Sequence, residues 1–276
     1  ASIAPDTRNR ATARDHPTLQ IEGLTVGYDA TPVLTDVALT AYPGECIAIM
    51  GDNGSGKTTL LQSALGLVEP ERGKVTVLGK DVAQTPLSDL ARRSGIVFQN
   101  PNHQLFAESV WEEAVFAPRN FQCLDDRTTQ RTRDLLKRAG LAGRLDDHPY
   151  RLSYGEKRRL NLISVLGYDP QLVLLDEILI GQDPDNVAFL MGLLQDAVAR
   201  GSTVLMVNHS PRVTARYATR VLFLERGRVI LDAPPAEAFQ RLSAQGRDAY
   251  CPPDNAPVSP SALTAKEPRY EAARCV

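Results

Sequence analysis

A glycine-rich segment in the first quarter of the chain combines residue types and spacing that bind phosphate groups. Residues 51–58 read Gly-Asp-Asn-Gly-Ser-Gly-Lys-Thr and match the pattern G-x-x-x-x-G-K-[ST]. In such a loop, backbone N–H groups surround phosphate oxygens, the lysine adds a positive charge and the threonine hydroxyl can bind Mg²⁺. The pattern therefore predicts a nucleoside triphosphate as ligand. The residues expected to contact it are Gly51, Asn53, Gly54, Ser55, Gly56, Lys57, Thr58 and Thr59.

The segments on either side of the loop favour this interpretation. Residues 46–50 are an uninterrupted apolar run typical of a buried strand, and Leu60, Leu61 and Leu65 follow at helical spacing. The positive end of that helix dipole would favour a phosphate group. The alternative is a glycine-rich turn with one exposed lysine, which requires neither the strand before it nor the helix after it.

Two acids follow a second apolar run and could hold the metal ion that accompanies a nucleoside triphosphate. Residues 172–175 are Leu-Val-Leu-Leu, and Asp176 and Glu177 come next. We predict that Asp176 and Thr58 coordinate Mg²⁺, and that Glu177 acts as a general base on a water molecule that attacks the γ-phosphate. Taken alone, two acids at a strand end are more typical of a solvated turn, so this prediction depends on the phosphate loop.

A third motif precedes the acidic strand. Residues 152–156 read Leu-Ser-Tyr-Gly-Glu, in which Ser153 and Glu156 have the spacing of a helix capping box. The segment also resembles the signature motif of ABC-type ATPases. In that family two chains enclose two ATP molecules head to tail, so the resemblance implies that Ser153 and Gly155 contact the ATP held by a second protomer. A capped helix N-terminus suits a γ-phosphate because its N–H groups are free.

The resemblance covers roughly residues 19–241 and implies roles for four more residues. Gln99, after the apolar residues 96–98, resembles the family's glutamine that senses the metal and reports to the transmembrane partner. His209 resembles its γ-phosphate histidine, although a lone histidine in a loop usually has no such role. Tyr28 stands where the family often has an aromatic residue against adenine, with local packing as the alternative. Asp183 matches the aspartate of a loop that crosses the dimer interface.

Several positions depart from the family pattern. In the signature motif, Tyr154 replaces the usual first glycine and Glu156 replaces the usual glutamine. Beyond the acids, Ile178 and Leu179 stand in place of Pro-Thr, and Gln182 in place of leucine. A carboxylate near a triphosphate is unfavourable, so we expect Glu156 to turn toward its own backbone.

Residues 99–106 (Gln-Asn-Pro-Asn-His-Gln-Leu-Phe) resemble the segment after the glutamine loop in ATPases of energy-coupling-factor importers. A polar turn before a helix is the alternative. The resemblance implies an ATPase at the cytoplasmic face of the cell membrane that powers uptake of a vitamin or of cobalt or nickel. Its partners would be a transmembrane scaffold subunit, a substrate-capturing membrane subunit and a second ATPase protomer, identical or related. The other open possibilities are the ATPase of another ABC importer or exporter, or a soluble ABC protein acting on ribosomes or DNA.

The composition of the chain argues against several other classes of function. The chain has 276 residues, with 31 Lys+Arg against 33 Asp+Glu and a formal charge of -2. A charge this close to zero provides no general electrostatic attraction to nucleic acids. Its four cysteines form no CxxC pair, which argues against a zinc site and fits a reducing compartment. No run of about 18 uncharged apolar residues, the length that would span a bilayer, is present.

The segment order predicts an α/β fold of the P-loop NTPase type, in the ABC ATPase arrangement that the resemblance implies. A mixed sheet core would carry an antiparallel β subdomain at residues 19–39 and an inserted helical subdomain at about residues 104–168. Asp29 and Pro32 are expected at the turn between the first two strands. We predict a flexible arm at residues 1–18, an ATPase domain at residues 19–243 and a Pro- and Ala-rich tail at residues 244–276.

Overall fold

The computed structural model describes residues 16–28 and 31–253. The turn residue Asp29, most of the predicted arm and the tail from residue 254 lie outside the described residues, as does the side chain of Tyr28. The described strands are β1 (Leu19–Tyr28), β2 (Thr31–Ala41), β3 (Cys46–Gly51), β4 (Arg72–Val77), β5 (Lys80–Asp81), β6 (Ser94–Val97), β7 (Leu172–Asp176), β8 (Thr203–Val207), β9 (Arg220–Glu225) and β10 (Arg228–Ala233). The described α-helices are α1 (Lys57–Ala64), α2 (Leu87–Ala91), α3 (Val110–Asn120), α4 (Asp126–Arg138), α5 (Tyr154–Leu166), α6 (Pro184–Ala199), α7 (Pro211–Tyr217) and α8 (Pro235–Ala244).

A four-stranded antiparallel sheet with the order β2-β1-β4-β5 forms the predicted β subdomain. In β1 the side chains of Leu19, Ile21, Leu24 and Val26 are all buried, so one face of the strand packs on the core. Pro32, expected in the turn, instead lies in β2 opposite Gly27. The sheet accommodates it because β2 is an edge strand, where proline is tolerated.

A six-stranded sheet with the order β10-β9-β3-β8-β7-β6 forms the centre of the molecule. All neighbouring strands in it are parallel except the hairpin partners β9 and β10. Every residue of β3, β7 and β8 is buried, as expected for strands covered on both faces. The carboxyl ends of β3, β6, β7 and β8 therefore meet at one edge of the sheet, which brings the loops that follow them together.

Two large hydrophobic clusters cover opposite faces of this sheet, and a third, smaller cluster lies at its β9 and β10 end. Ile47 and Ile49 of β3 pack with the four-stranded sheet and α1, whereas Val173 and Leu175 of β7 pack with α5 and α6. This division follows from the alternation of side chains along a strand. The mixed α/β architecture predicted from the sequence is confirmed.

Helices α3, α4 and α5 occupy the region of the predicted helical subdomain. The charged α4 is amphipathic and buries Thr132, Leu135 and Leu136. The carboxylate of Glu113 in α3 is buried and accepts the backbone N–H groups of Phe106 and Ala107, both at 2.9 Å. Burial nevertheless raises the pKa of Glu113. These bonds join the segment after β6 to α3.

Both ends of the described chain dock on the domain. Thr18, the last residue of the predicted arm, is buried, and its hydroxyl accepts a hydrogen bond from Thr203 at 2.7 Å. After α8, a short 3-10 turn at Asp248–Tyr250 packs against the β9 and β10 hairpin. Docked structure therefore continues for several residues beyond α8.

Candidate nucleotide-binding site

The glycine-rich loop runs from the end of β3 to the start of α1. Gly51 has φ 138°, and a Cβ there would lie 2.1 Å from the carbonyl oxygen of Leu224 on β9. Gly56 caps α1 with φ 100°, and a Cβ there would lie 2.5 Å from Leu34 Cδ2. Both positions combine a left-handed backbone with close neighbours, so the loop requires glycine at each.

Lys57 is buried at the first position of α1. Its Nζ donates hydrogen bonds to the carbonyl oxygens of Gly51 (2.9 Å) and Asp52 (2.7 Å). Burial lowers the pKa of Lys57, an effect that the carboxylates of Glu177, Asp52 and Asp176 oppose. The hydroxyl of Ser55 is buried with no partner among the described residues, which leaves a polar atom inside the loop available to a ligand.

The other residues expected at the nucleotide lie on or next to this loop. Asn53 and Gly54 are exposed at its tip, and a Cβ on Gly54 would meet no atom within 4 Å. Thr59 is half-buried in the first turn of α1, where its carbonyl oxygen accepts the Ser63 hydroxyl at 2.8 Å. The space beside the loop tip is therefore open.

The predicted metal ligands Thr58 and Asp176 are brought together. The Thr58 hydroxyl lies 3.2 Å and 3.1 Å from the two carboxylate oxygens of Asp176, the last residue of β7. Burial raises the pKa of Asp176, and the neighbouring charge of Glu177 adds to that increase, while the bond from Thr58 opposes it. A buried carboxylate next to a second acid is a position that a cation would stabilise.

Glu177 joins two further predicted residues. One of its carboxylate oxygens accepts a hydrogen bond from Gln99 Nε2 at 2.8 Å, and the other lies 2.8 Å from Nε2 of His209. A hydrogen on His209 Nε2 would make this contact a hydrogen bond donated to the carboxylate. Glu177 has φ 52°, an uncommon conformation for a residue with a side chain. Gln99, Glu177 and His209 thus follow β6, β7 and β8 and meet at one edge of the sheet.

The signature segment lies elsewhere. Ser153 caps α5, its hydroxyl accepts the N–H of Glu156 at 3.3 Å, and the Glu156 carboxylate accepts the N–H of Ser153 at 2.8 Å. Glu156 also pairs with Arg144 at 3.1 Å. Glu156 therefore turns toward its own backbone, as predicted. Among the described residues, no hydrogen bond joins Ser153 or Gly155 to the phosphate loop.

Arg158 is a residue whose place the sequence did not indicate. It is buried in α5 and donates to the carbonyl oxygens of Phe98, at 2.7 Å, and Gln99, and to the Tyr154 hydroxyl at 3.0 Å. In the sequence it belongs to a basic run, Lys157 to Arg159, that gives no sign of burial. Arg158 therefore links the signature helix to the backbone of the Gln99 segment.

The loop after Glu177 is held to α6 by polar contacts. Asp183 caps α6 and accepts the N–H of Asn186 at 2.8 Å. Asn186 also donates to the side chain of Gln182 and accepts from Arg159 Nε at 2.5 Å. Ile178 is buried. The departure at Ile178 is thus accommodated by burial in the core, and the departure at Gln182 by its hydrogen bond with Asn186.

A glycine loop between a buried strand and a helix, with an acid at the end of a nearby parallel strand, defines the P-loop class of nucleotide-binding proteins. A family model described as "ABC transporter" matches residues 34–179. The chain belongs to the ABC transporter family and is an ABC-type ATPase.

Two relatives and one solved structure illustrate the similarity. An energy-coupling factor transporter ATP-binding protein, EcfA2, of Symbiobacterium thermophilum is 40% identical over 77% of this chain and 75% of its own length. The EcfA2 of Methanospirillum hungatei is 34% identical over 81% of this chain, which spans only 57% of that protein. The structure of CbiO1 from Clostridium perfringens, described as part of the ABC transporter complex CbiONQ, superposes with a TM-score of 0.73 at 31% identity, covering 84% of this chain and 94% of that one.

Within residues 16–28 and 31–253, none of the helices combines the length and the apolar character needed to cross a membrane.

Proposed function

We propose that this chain is the ATP-hydrolysing subunit of an energy-coupling-factor importer that takes up a micronutrient, either a vitamin or cobalt or nickel. The observation that carries the proposal is the meeting of Gln99, Glu177 and His209 beside the phosphate loop, in a chain similar to EcfA2 proteins. The cluster supports hydrolysis, and the similarity supports the type of transporter.

The phosphate loop would bind the triphosphate of ATP. Its N–H groups and the start of α1 favour anionic oxygens, and the Ser55 hydroxyl adds a buried donor. Lys57 Nζ already lies at the loop, on the carbonyl oxygens of Gly51 and Asp52, and would share its protons with the phosphates. Tyr28 remains a proposed contact for adenine.

Thr58, Asp176 and Gln99 would hold Mg²⁺ together with the phosphates. The described residues contain no cluster of three or more His, Cys, Asp or Glu side chains that could hold an ion alone. This suits Mg²⁺, which uses one or two carboxylates and completes its coordination with phosphate oxygens and water. Bound there, the ion would supply positive charge that neutralises the triphosphate.

Glu177 is proposed as the general base for the attacking water. Its two oxygens are oriented by Gln99 and His209, so the carboxylate is held in one place before substrate binds. His209 would contact the γ-phosphate and stabilise its developing charge, and Gln99 would report on the bound nucleotide.

A second protomer would complete the site. In the part of the chain that the structure describes, no hydrogen bond joins Ser153 or Gly155 to the phosphate loop, and the N-terminus of α5 is a position that suits a phosphate. We propose that they contact ATP bound by the partner ATPase, identical or related, and that Asp183 lies at the interface.

The membrane partner would dock next to the Gln99 segment. Phe106 is 62% exposed and packs edge to face on the exposed Phe116, with ring centroids 4.5 Å apart. Tyr150 is also exposed, and its hydroxyl lies 3.4 Å from the carbonyl oxygen of Asn102. Exposed aromatic residues are enriched at protein interfaces, which supports a transmembrane scaffold subunit as the partner, at the cytoplasmic face of the membrane.

Affinity purification from the native host tests this proposal. The tagged chain is recovered from membranes solubilised in mild detergent, and its partners are identified by mass spectrometry. We expect a multi-helix membrane scaffold, a substrate-capturing membrane protein and an ATPase partner, and the ligand of the capturing protein would identify the solute. The double variant Phe106→Ser, Tyr150→Ala should lose the scaffold, whereas Ile230→Ser, at an exposed apolar position on β10, should retain it.

Two other results would contradict the proposal. Transmembrane partners without a capturing membrane protein would indicate another ABC importer or exporter. Recovery of only soluble partners, ribosomes or DNA would contradict any role of this chain in transport.

A further inference from the structure

The 3-10 turn at Asp248–Tyr250 contacts the phosphate loop. The hydroxyl of Tyr250 donates a hydrogen bond to the carboxylate of Asp52, the second residue of the loop motif. The Tyr250 ring packs edge to face on Phe223 of β9, with centroids 4.8 Å apart at 90°. Arg247 anchors the same turn through an ion pair with Glu225 at 2.7 Å. The contact thus joins residues 198 positions apart in the sequence.

Asp52 is an unfavourable residue for a loop that binds phosphate. Its carboxylate is exposed, and a negative charge within several ångströms of a triphosphate repels it. The carboxylate is also close enough to Lys57 to raise the pKa of that lysine, against the larger opposite effect of burial. That effect is present while the carboxylate is bonded to Tyr250, and an Asp52 side chain released from Tyr250 could come closer to Lys57 and compete with the phosphates for it.

In the structure the Asp52 carboxylate is bonded to Tyr250 and lies close enough to Glu225, at the end of β9, to affect its pKa. Within the described part of the chain, Lys57 Nζ donates hydrogen bonds to the backbone carbonyl oxygens of Gly51 and Asp52 and forms no ion pair with the Asp52 carboxylate. The bond to Asp52 raises the pKa of Tyr250 to about 12. A tyrosine with its ordinary pKa of about 10 is already protonated at physiological pH, so the phenol is a donor there.

We propose that Tyr250 is a positioning residue of the nucleotide site, whose hydroxyl holds the Asp52 carboxylate away from the phosphates and from Lys57. This inference rests on the proposed binding of ATP by the loop. It assigns to the segment after α8 a direct effect on nucleotide affinity.

Calorimetric titration of the full chain with a non-hydrolysable ATP analogue and Mg²⁺ tests the inference. Tyr250→Phe removes the hydroxyl but keeps the ring on Phe223, and it is measured both alone and combined with Asp52→Asn. We expect Tyr250→Phe alone to weaken binding about fivefold, which corresponds to about 1 kcal/mol. In the Asp52→Asn background the same change should weaken binding less than about twofold, because no charge remains to be held away.

Tyr217→Phe on α7 is the matched control, since it removes a tyrosine hydroxyl that makes no contact with the loop. Thermal unfolding of each variant checks that the fold is retained. Equal weakening by Tyr250→Phe in both backgrounds, or no weakening in the native background, would overturn the inference. Failure of the native chain itself to bind the analogue would instead refute the proposed ATP site.

Discussion

Replacing Glu177 by glutamine separates the chemistry of the site from its architecture. Glutamine has nearly the same shape but lacks the negative charge and the proton affinity of a carboxylate. Its amide oxygen can still accept the Gln99 N–H, and its NH₂ group can face His209 if the imidazole changes tautomer. We therefore expect the free energy of unfolding to change by less than about 1 kcal/mol.

The effect on ATP hydrolysis should be much larger. A positioned general base contributes about 10²–10⁴-fold to the rate of proton transfer reactions. Each tenfold loss corresponds to about 1.36 kcal/mol in the barrier, so Glu177→Gln should raise the barrier by about 3–5 kcal/mol. ATP affinity should fall little, because Lys57 and the loop N–H groups are unchanged, and the removal of a negative charge favours the triphosphate.

Phosphate release under single-turnover conditions measures the chemical step, and size-exclusion chromatography with ATP measures dimer formation. If ATP hydrolysis ends the ATP-bound state of the proposed dimer, the variant should accumulate that dimer. Glu237→Gln is the matched control because it removes the same charge from the exposed face of α8. Turnover at the native rate in Glu177→Gln would refute the general-base role. A parallel loss of ATP affinity would assign the defect to binding instead.

Three further variants test other parts of the site. Lys57→Ala removes the buried ammonium at the loop and should weaken ATP binding at least about 100-fold, measured by calorimetry. Arg158→Leu leaves the carbonyl oxygens of Phe98 and Gln99 without their buried donor and should cost about 2–4 kcal/mol in urea unfolding. Glu156→Gln keeps the cap but loses the charge pair with Arg144, and should cost about 0.5–1 kcal/mol near pH 7. Burial opposes ionisation of Glu156, but the bonds from Ser153 and Arg144 prevail and lower its pKa. Its stabilising effect is therefore present above the ordinary glutamate pKa of about 4.3 and is lost as the pH falls through the lowered value. The difference between native chain and Glu156→Gln in urea unfolding should shrink below about pH 4, and a difference that grows in acid would contradict this assignment.

Strong local patterns made the core of the fold predictable. The apolar runs before Gly51 and Asp176 indicated buried strands, because strands covered on both faces need apolar residues at every position. Parallel strands place their carboxyl ends at one edge, so the two motifs had to meet once the sheet was parallel. The antiparallel subdomain predicted at residues 19–39 begins with β1, in which Leu19, Ile21, Leu24 and Val26 are buried on one face.

Elements with a weak sequence signal, and contacts between distant parts of the chain, could not be predicted. Strand β4 begins with three exposed residues, Arg72, Gly73 and Lys74, and buries only two side chains, so it has little periodic signal. Arg158 could not be recognised as buried, because its partners are backbone oxygens about sixty positions earlier in the chain. The contact of Tyr250 with Asp52 likewise depends on how the end of the chain packs on β9.

The two departures in the signature segment, Tyr154 and Glu156, share a physical feature that bears on their consequences. The carboxylate of Glu156 is paired with Arg144, and the hydroxyl of Tyr154 accepts from Arg158, so each unusual polar group in the signature segment is matched by an arginine of the same chain. Neither side chain contacts Lys57 or the acids at the end of β7. Because these polar groups already have hydrogen-bond partners within their own chain, they need no partner from a second protomer. These two departures therefore alter the surface that a second protomer would meet, and they leave the contacts around the phosphate loop of their own chain intact.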